Sequence, residues 1–153
     1  MKKCIISLLL LLAVACSNFS SIEKYRIGKP EDSEIIMPLF TNQVPEELQF
    51  LRLKAGPLNR RDMKSDLYAT LKSRMMATVL DTANTGVGIA APQVGISKQL
   101  VAVQRFDKEG EPFEFYVNPI IENYSQETKW GWEGCLSVPG ERDTVLRSTQ
   151  VVI

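Results

Sequence analysis

Residues 86–93 read GVGIAAPQ, and this short segment constrains the fold more than its neighbours do. It satisfies the dinucleotide-binding pattern G-x-G-x-x-A, and Asp107 lies about where that pattern expects an acid for the ribose. Such a fingerprint follows a strand and opens a helix. Here a helical segment precedes it, and Pro92 would disrupt a helix that begins at the glycines. The context therefore argues against nucleotide binding and predicts a loop that ends on Gln93.

Two interpretations of this loop remain open. Its glycines, Gly88 among them, allow a second backbone to approach closely. The amide of Gln93 can donate a hydrogen bond through its nitrogen and accept one through its oxygen, which suits a site that polarises a carbonyl group. A packing turn built from small residues explains the same pattern without any site, and the spacing alone favours this simpler interpretation.

The segment before the loop predicts the one clear helix of the chain. It begins between Arg61 and Ser65 and runs to about Thr82. Either Asp62 or Ser65 can cap its first turn. Its apolar side chains recur every four positions, as on a helix face that packs in a core, at Leu67, Leu71, Met75 and Val79.

The segment after the loop changes to strand patterns. A polar turn at residues 107–110 joins the first two strands into a hairpin. We expect strands at residues 99–105, 113–117, 120–124 and 144–153. Together these patterns predict an α+β fold, with mostly antiparallel strands and one N-terminal helix, in a folded body over residues 48–153.

A second informative stretch, residues 133–139, reads EGCLSVP and contains Cys135. The other cysteines, Cys4 and Cys16, lie within the first sixteen residues, so Cys135 has no disulfide partner in the folded body. Its thiol can be a small buried hydrophobe, a nucleophile or a metal ligand. The sequence contains no histidine, and the nucleophile is disfavoured because no histidine base can activate it.

Residues 86–95 and 133–139, in this order and at this separation, closely resemble the first two signature motifs of the peptide deformylases. The resemblance extends from about Leu48 to Ile153. It implies the fold of that family and a divalent metal, most often Fe²⁺ and in some members Zn²⁺ or Ni²⁺. In the family the motif cysteine and two histidines of a later His-Glu-x-x-His helix hold this metal. A metal-bound water removes the formyl group from the N-terminal formyl-methionine of new peptides, a step of protein maturation.

The resemblance also implies roles for individual residues of this chain. Cys135 is the expected metal ligand. Gln93 and the backbone N–H of Leu136 are the expected donors to the developing oxyanion, a contribution of about 3–4 kcal/mol per donor in other hydrolases. The other residues implied for the site are Glu133 as a support for the metal ligand, and Gly88 and Arg142 as contacts to the peptide substrate.

The third motif of that family is absent, and without histidine the sequence offers no other ligand set. We therefore expect a fragment or a truncated reading frame that lacks the central His-Glu-x-x-His helix, since residues 151–153 show no turn or cap. The chain alone is predicted to be inactive and to bind metal weakly. The alternative is a non-catalytic surface lipoprotein, a binding module derived from a deformylase.

The N-terminus predicts export. Lys2 and Lys3 precede an apolar run to Ala15, which is shorter than the roughly 20 residues of a membrane span and typical of a signal peptide. Residues 13–17, AVACS, are similar to the lipobox of bacterial lipoproteins, in which Cys16 would carry the lipid; an ordinary cleaved signal or a short anchor is the alternative. We expect a signal peptide at residues 1–15 and a lipid-tethered linker and arm at residues 16–47. The protein is then an exported, membrane-anchored lipoprotein of the periplasm or cell surface.

The composition agrees with one globular domain and a targeting segment. Hydrophobic residues make up 44% of the 153 residues, and 18 basic residues balance 18 acidic ones. A nucleic-acid-binding domain shows a basic face. We therefore expect no nucleic-acid partner; the expected partners are formylated peptides and, through the lipid on Cys16, a membrane.

Overall fold

The helices and strands form a mixed α+β fold in the computed structural model, which describes residues 18–84 and 86–153. The α-helices of this part are α1 (Ser21–Ile27), α2 (Pro45–Leu51) and α3 (Asp66–Leu80). Short 3-10 turns lie at Pro30–Asp32, Asp62–Lys64 and Ala91–Val94. The strands are β1 (Gly88–Ala90), β2 (Leu100–Gln104), β3 (Phe113–Val117), β4 (Asn123–Tyr124), β5 (Thr128–Cys135), β6 (Val138–Ser148) and β7 (Val151–Val152).

The long helix α3 confirms the helix predicted from the apolar spacing. Ser65 caps it, since its hydroxyl oxygen accepts a hydrogen bond from the Tyr68 N–H at 3.2 Å. The buried apolar residues of the helix are Leu71, Met75 and Val79. The four-residue spacing therefore identified the face that packs in the core.

Strands β1, β2 and β3 form an antiparallel sheet in that order. The predicted polar turn joins β2 to β3, which confirms that hairpin. Asp107 lies in this turn and forms an ion pair with Arg105 at 2.5 Å. Because Arg105 donates hydrogen bonds to it, the pKa of the Asp107 carboxyl falls to about 2. A structural role in the turn thus accounts for Asp107 without a nucleotide.

One core joins α3 to this sheet. Buried apolar side chains of the helix, the strands and the segment between β1 and β2 pack in a single cluster. The members from these elements are Leu71, Met75, Val79, Ile89, Ala91, Val94, Ile96, Leu100 and Ala102.

The second motif lies in a separate hairpin. Strand β5 pairs antiparallel with β6, and Leu136 and Ser137 form the turn between them. Most side chains of both strands are exposed. Strand β4 pairs antiparallel with β7. The hairpin is therefore ordered by its backbone ladder more than by burial of its side chains.

The segment before residue 48 differs from the predicted linker and arm. Ser20 and Glu23 form a reciprocal capping box at the start of α1, at 2.7 and 3.2 Å. Phe19, Ile27 and Met37 are buried in the same core as α3. These apolar residues are too far apart in sequence to show a periodicity, so only their tertiary contacts reveal that the segment belongs to the folded body.

Other parts of the fold also differ from the expectations, among them the predicted strand at residues 120–124, of which only β4 forms. Residues 88–90 of the predicted loop form β1, because pairing with β2 satisfies their backbone groups. Helices α1 and α2 add to the single predicted helix. The predicted last strand is divided: β6 begins at Val138 and ends at Ser148, and β7 then pairs with β4.

In the described part of the chain, no helix has the length and apolar character needed to cross a membrane. The predicted signal peptide at residues 1–15 and the predicted lipidation site, Cys16, lie outside the described residues. Both stay predictions.

Candidate functional site

Gln93 lies in the 3-10 turn Ala91–Val94, which follows β1. Its side-chain oxygen accepts a hydrogen bond from the Ala90 N–H at 2.8 Å. Because a backbone N–H can only donate, this contact fixes the amide with its oxygen towards Ala90. The amide nitrogen then faces away from β1. The turn therefore presents an N–H donor in a defined direction.

Cys135 is the last residue of β5, and its thiol is free and exposed. The pairing of the hairpin shifts next to it, since Gly134 pairs with Arg142 whereas Cys135 pairs with Val138. Such irregularities redirect side chains and are frequent beside functional sites. The cysteine is thus placed at the point where the regular ladder ends.

The fold brings Gln93 and Cys135 together from the two sequence motifs. The Gln93 Nε2 atom lies 3.8 Å from the Cys135 Sγ atom. The same nitrogen lies 3.3 Å from the Oγ atom of Ser137, a buried residue. These three residues, called the Gln93–Cys135 cluster below, combine an amide donor, a thiol and a hydroxyl. The amide can donate to a carbonyl oxygen placed beside the thiol.

Leu136 follows the cysteine in the turn of the hairpin. Its backbone N–H donates to no acceptor within residues 18–84 and 86–153. Its side chain packs on the core, close to Gly86. A Cβ atom at Gly86 would lie 3.1 Å from the Leu136 Cδ1 atom and 3.0 Å from the Val79 Cγ2 atom. A glycine at position 86 therefore lets the first motif approach the second.

Glu133 is oriented by an arginine on the neighbouring strand. Its two carboxylate oxygens accept hydrogen bonds from Arg147 Nε at 2.9 Å and Nη2 at 2.8 Å. These bonds from Arg147 hold the pKa of the Glu133 carboxyl below its usual range and raise the pKa of Arg147. The described contacts thus join Glu133 to Arg147 and not to the thiol, and its role as a support for the ligand stays a prediction.

The two predicted peptide contacts lie on different strands. Gly88 pairs with Val103, and a Cβ atom on Gly88 would lie 3.2 Å from the Ala102 carbonyl oxygen. Strand pairing alone therefore accounts for this glycine. Arg142 is exposed beside Gly134, where a Cβ atom would lie 3.4 Å from the Arg142 Cγ atom. The structure places a guanidinium side chain next to the second motif, and the contact with a peptide stays a prediction for both residues.

Two contacts that the sequence did not predict connect the motifs. The Phe40 N–H donates to the Gln93 carbonyl at 2.7 Å, and the Asn42 N–H donates to the Ser137 carbonyl at 2.8 Å. Both donors lie in the segment predicted to be an arm. Because backbone donors depend on chain placement and not on residue type, no sequence pattern identifies them.

The residues present do not fit a complete metal centre. A catalytic zinc site, for comparison, has three protein ligands and one open position. Within the described residues there is no group of three or more histidine, cysteine, aspartate or glutamate side chains that could hold a metal ion. The sequence has no histidine, and the amide nitrogen of Gln93 is a hydrogen-bond donor. Among the described residues, Cys135 therefore offers a single candidate ligand of such a set, and its role as a metal ligand stays a prediction.

The fold and the site define an α+β protein with a paired glutamine and cysteine on adjoining motifs. The sequence profile of the polypeptide deformylases matches residues 41–153. The chain therefore belongs to the polypeptide deformylase family. This confirms the resemblance inferred from the two motifs.

Curated relatives support the same family. A peptide deformylase of Thermosynechococcus vestitus is 34% identical over 113 residues, which cover 71% of this chain and 58% of the relative. Peptide deformylase 2 of Pseudomonas putida is 52% identical over 68 residues, which cover 40% of this chain and 38% of the relative. The chain thus spans less than two thirds of the length of these relatives.

Solved structures agree with the fold. The Met-Ala-Ser-bound class I type b peptide deformylase of Acinetobacter baumannii is 35% identical with a TM-score of 0.66, covering 77% of this chain and 74% of that one. The peptide deformylase of Thermotoga maritima is 31% identical with a TM-score of 0.61, covering 76% of this chain and 70% of that one. The predicted α+β, deformylase-like fold is confirmed.

Proposed function

We propose that this chain carries the carbonyl-binding part of a peptide deformylase site, whose substrate is an N-terminal formyl-methionine peptide. The observation that carries the proposal is the Gln93–Cys135 cluster, in which the amide nitrogen lies 3.8 Å from the thiol. Family membership supports the reaction class. The peptide Met-Ala-Ser, bound in the Acinetobacter baumannii relative, supports a peptide substrate.

Hydrolysis of a formyl amide places negative charge on the formyl oxygen. Water adds to the formyl carbon, the C–N bond then breaks, and the products are formate and the free amine. Gln93 Nε2 and the Leu136 N–H donate hydrogen bonds to that oxygen in this proposal. Both donors are held in position before substrate binds, so they stabilise the charge without reorganisation.

The chain does not contain the groups that activate the water. We propose that Cys135 is one ligand of a divalent metal, with Fe²⁺ favoured over Zn²⁺ and Ni²⁺, and that the chain by itself is inactive. The absence of histidine from the sequence supports the second statement. Formate release is the measurement that checks it: purified chain with Fe²⁺ or Zn²⁺ and formyl-Met-Ala-Ser is expected to release none. Robust release would contradict the proposed inactivity.

Binding of a formylated peptide tests the carbonyl-binding role directly. Formyl-Met-Ala-Ser is expected to shift the NMR signals of the Gln93 side-chain amide and the Leu136 N–H more than Met-Ala-Ser does. Gln93→Ala is expected to weaken binding of the formylated peptide by about 3- to 10-fold, the effect of one hydrogen bond. Gln49→Ala, an exposed glutamine on α2, is the matched control.

Two outcomes separate this proposal from the alternative of a non-catalytic binding module. Equal binding of both peptides would contradict a site for the formyl group. Tight formyl-peptide binding that neither added metal nor Cys135→Ser changes would favour the binding module. Weak metal binding that Cys135→Ser abolishes supports the proposed metal-binding deformylase site.

We also propose that Cys16 carries lipid and that the chain is an exported, membrane-anchored lipoprotein of the periplasm or cell surface. The basic start, the short apolar run and the AVACS sequence support this localisation. Labelled palmitate is expected to enter the wild-type protein and not the Cys16→Ala variant. Unchanged labelling of that variant would refute lipidation at Cys16.

A further inference from the structure

Helix α1 lies outside the part of the chain that matches the deformylase family, which begins at residue 41. It nevertheless contacts the turn that carries Gln93. The Arg26 Nη1 atom donates a hydrogen bond to the Gly95 carbonyl oxygen at 2.7 Å. A residue outside the family match is thus bound to the backbone two residues after Gln93.

Gly95 closes the turn that contains Gln93. Its φ angle of +73° lies in the left-handed region, and its N–H donates to the Pro92 carbonyl at 3.0 Å. A Cβ atom at this position would lie 2.7 Å from the Phe40 Cζ atom and 3.1 Å from the Arg26 Nη1 atom. Both side chains therefore pack directly on the end of the turn.

Phe40 connects Arg26 to Gln93 from the other side. The Phe40 N–H donates to the Gln93 carbonyl at 2.7 Å. The guanidinium carbon of Arg26 lies 4.9 Å from the centre of the Phe40 ring, which meets the Phe50 ring edge-on at 5.1 Å. A half-buried guanidinium over an aromatic ring is a favourable cation–π contact. Arg26 therefore binds the turn at Gly95. Phe40, on whose ring Arg26 stacks, binds the turn at Gln93.

We propose that Arg26 is a positioning residue that fixes the Gln93 side chain in the Gln93–Cys135 cluster, acting through the Gly95 carbonyl and the Phe40 ring. This positioning role rests on the proposed function, in which the direction of the Gln93 amide matters. Helix α1 is then part of the site's support, although it lies outside the family match.

NMR on the full chain tests the proposal without substrate or metal. The position of the Gln93 side chain can therefore be measured even if the proposed hydrolase function is wrong. In wild type we expect nuclear Overhauser effects from the Gln93 side-chain amide protons to Cys135 and Ser137. Arg26→Met keeps the aliphatic stem but removes the donor and the charge, and it is expected to abolish these effects. Arg26→Lys is expected to retain them in part, because an ammonium group can still donate to the Gly95 carbonyl.

Two control variants separate positioning from general destabilisation. Tyr25→Ala alters a side chain on the same helix that is 88% exposed. Asn118→Ala removes the two hydrogen bonds to Leu58, at 2.8 Å each, and destabilises the fold away from the turn. Both are expected to keep the Overhauser effects of Gln93. If Arg26→Met retains the Overhauser effects of Gln93, the proposal is overturned. It is also overturned if Asn118→Ala loses these effects to the same extent as Arg26→Met.

Hydrogen exchange provides a second measurement. In Arg26→Met the Phe40 N–H, which bonds to Gln93, is expected to exchange about tenfold faster because the turn opens locally. The Met37 N–H of the same segment bonds to Thr78 Oγ1 at 2.8 Å and is expected to keep its rate. Equal acceleration at both positions would also overturn the proposal, since it would report loosening of the whole segment.

Discussion

The two motifs lie in regions that are stabilised in different ways. The turn with Gln93 contains the buried residues Ala91 and Val94 and is followed by the buried Ile96. The hairpin with Cys135 exposes Trp132 by 75% and Trp130 by 63%. Burial of apolar area is the main source of folding stability, whereas an isolated two-stranded hairpin is marginal in water. The turn that carries the amide donor is therefore anchored in the core by its buried neighbours, and the thiol is held mainly by a ladder that meets the core through Leu136 and Ser137.

This difference explains what each region can tolerate. A change beside Gln93 disturbs a close-packed interior, in which even one methylene matters. A change on the exposed strands of the hairpin removes contacts with solvent. Substitutions in the two regions should therefore differ in their cost to stability.

Met75→Ala is expected to have the largest effect. Met75 is fully buried in α3, and its truncation removes apolar contacts and leaves a cavity, at about 2–5 kcal/mol of unfolding free energy. Urea denaturation followed by circular dichroism measures it. Leu80→Ala on the same helix, where the side chain is 61% exposed, is expected to change stability by less than about 0.5 kcal/mol. An equal decrease in the free energy of unfolding for Met75→Ala and Leu80→Ala would contradict a core centred on α3.

Arg74→Met tests how the N-terminal segment is attached to the core. The buried Arg74 guanidinium donates to the carbonyls of Arg26, Ile27 and Ile35 at 2.9 Å each. Removal of these donors is expected to lower the free energy of unfolding by about 2–3 kcal/mol, because buried carbonyls lose their partners. Ser73→Ala, an exposed neighbour on the helix, is the control. An unchanged denaturation midpoint would show that the segment is not fixed by Arg74.

Ile89→Val and Trp132→Ala compare the two regions directly. Ile89 in β1 is 3% exposed, and loss of one carbon there is expected to lower stability by about 0.5–1.5 kcal/mol. Loss of the whole indole at Trp132 is expected to change it by less than about 0.5 kcal/mol, since 75% of the side chain faces solvent. Thermal melts of the two variants check the order. A larger loss for Trp132→Ala would mean that the hairpin is packed more tightly than its exposure indicates.

The smallest effect is expected at the ion pair of the hairpin. Arg147 lowers the pKa of the Glu133 carboxyl. The pair therefore contributes stability above the unfolded pKa of a glutamate, about 4.3, and this contribution is lost as the pH falls through the lower folded value. Carboxyl NMR titration is expected to find the Glu133 pKa below its usual range and to find it near that range in Arg147→Gln. Identical titrations would rule out the pair in solution.

Sequence patterns predicted the parts of the fold that depend on neighbouring residues. The buried face of α3 followed from Leu71, Met75 and Val79, because helical periodicity reports burial directly. The hairpin of β2 and β3 followed from its polar turn. The sequence also contains an S-x-x-E pattern at Ser20, a local signal for the start of α1 that the prediction of a linker and arm did not use.

The candidate site likewise contains residues that the sequence identified and contacts that it did not. The motifs identified Gln93 and Cys135, because both residue types carry the chemistry of the cluster. Glu133 also belongs to a motif, yet its partner Arg147 lies on the neighbouring strand opposite Lys129, so only the side-chain contacts of the folded hairpin reveal the pair. Phe40 and Asn42 bind through backbone groups, which every residue except proline possesses, so no residue type reveals them.

Residue patterns were enough to predict the family, the α+β class and the importance of Gln93 and Cys135. Helical and strand periodicity sufficed for the fold class, whereas the family and the two site residues followed from the resemblance of two ordered motifs, because spacing alone favoured a packing turn around Gln93. The support of the cluster, by contrast, is visible only in the folded chain. Arg26, Phe40 and Asn42 support it across long sequence separations, and such contacts exist only once the buried core has brought distant segments together.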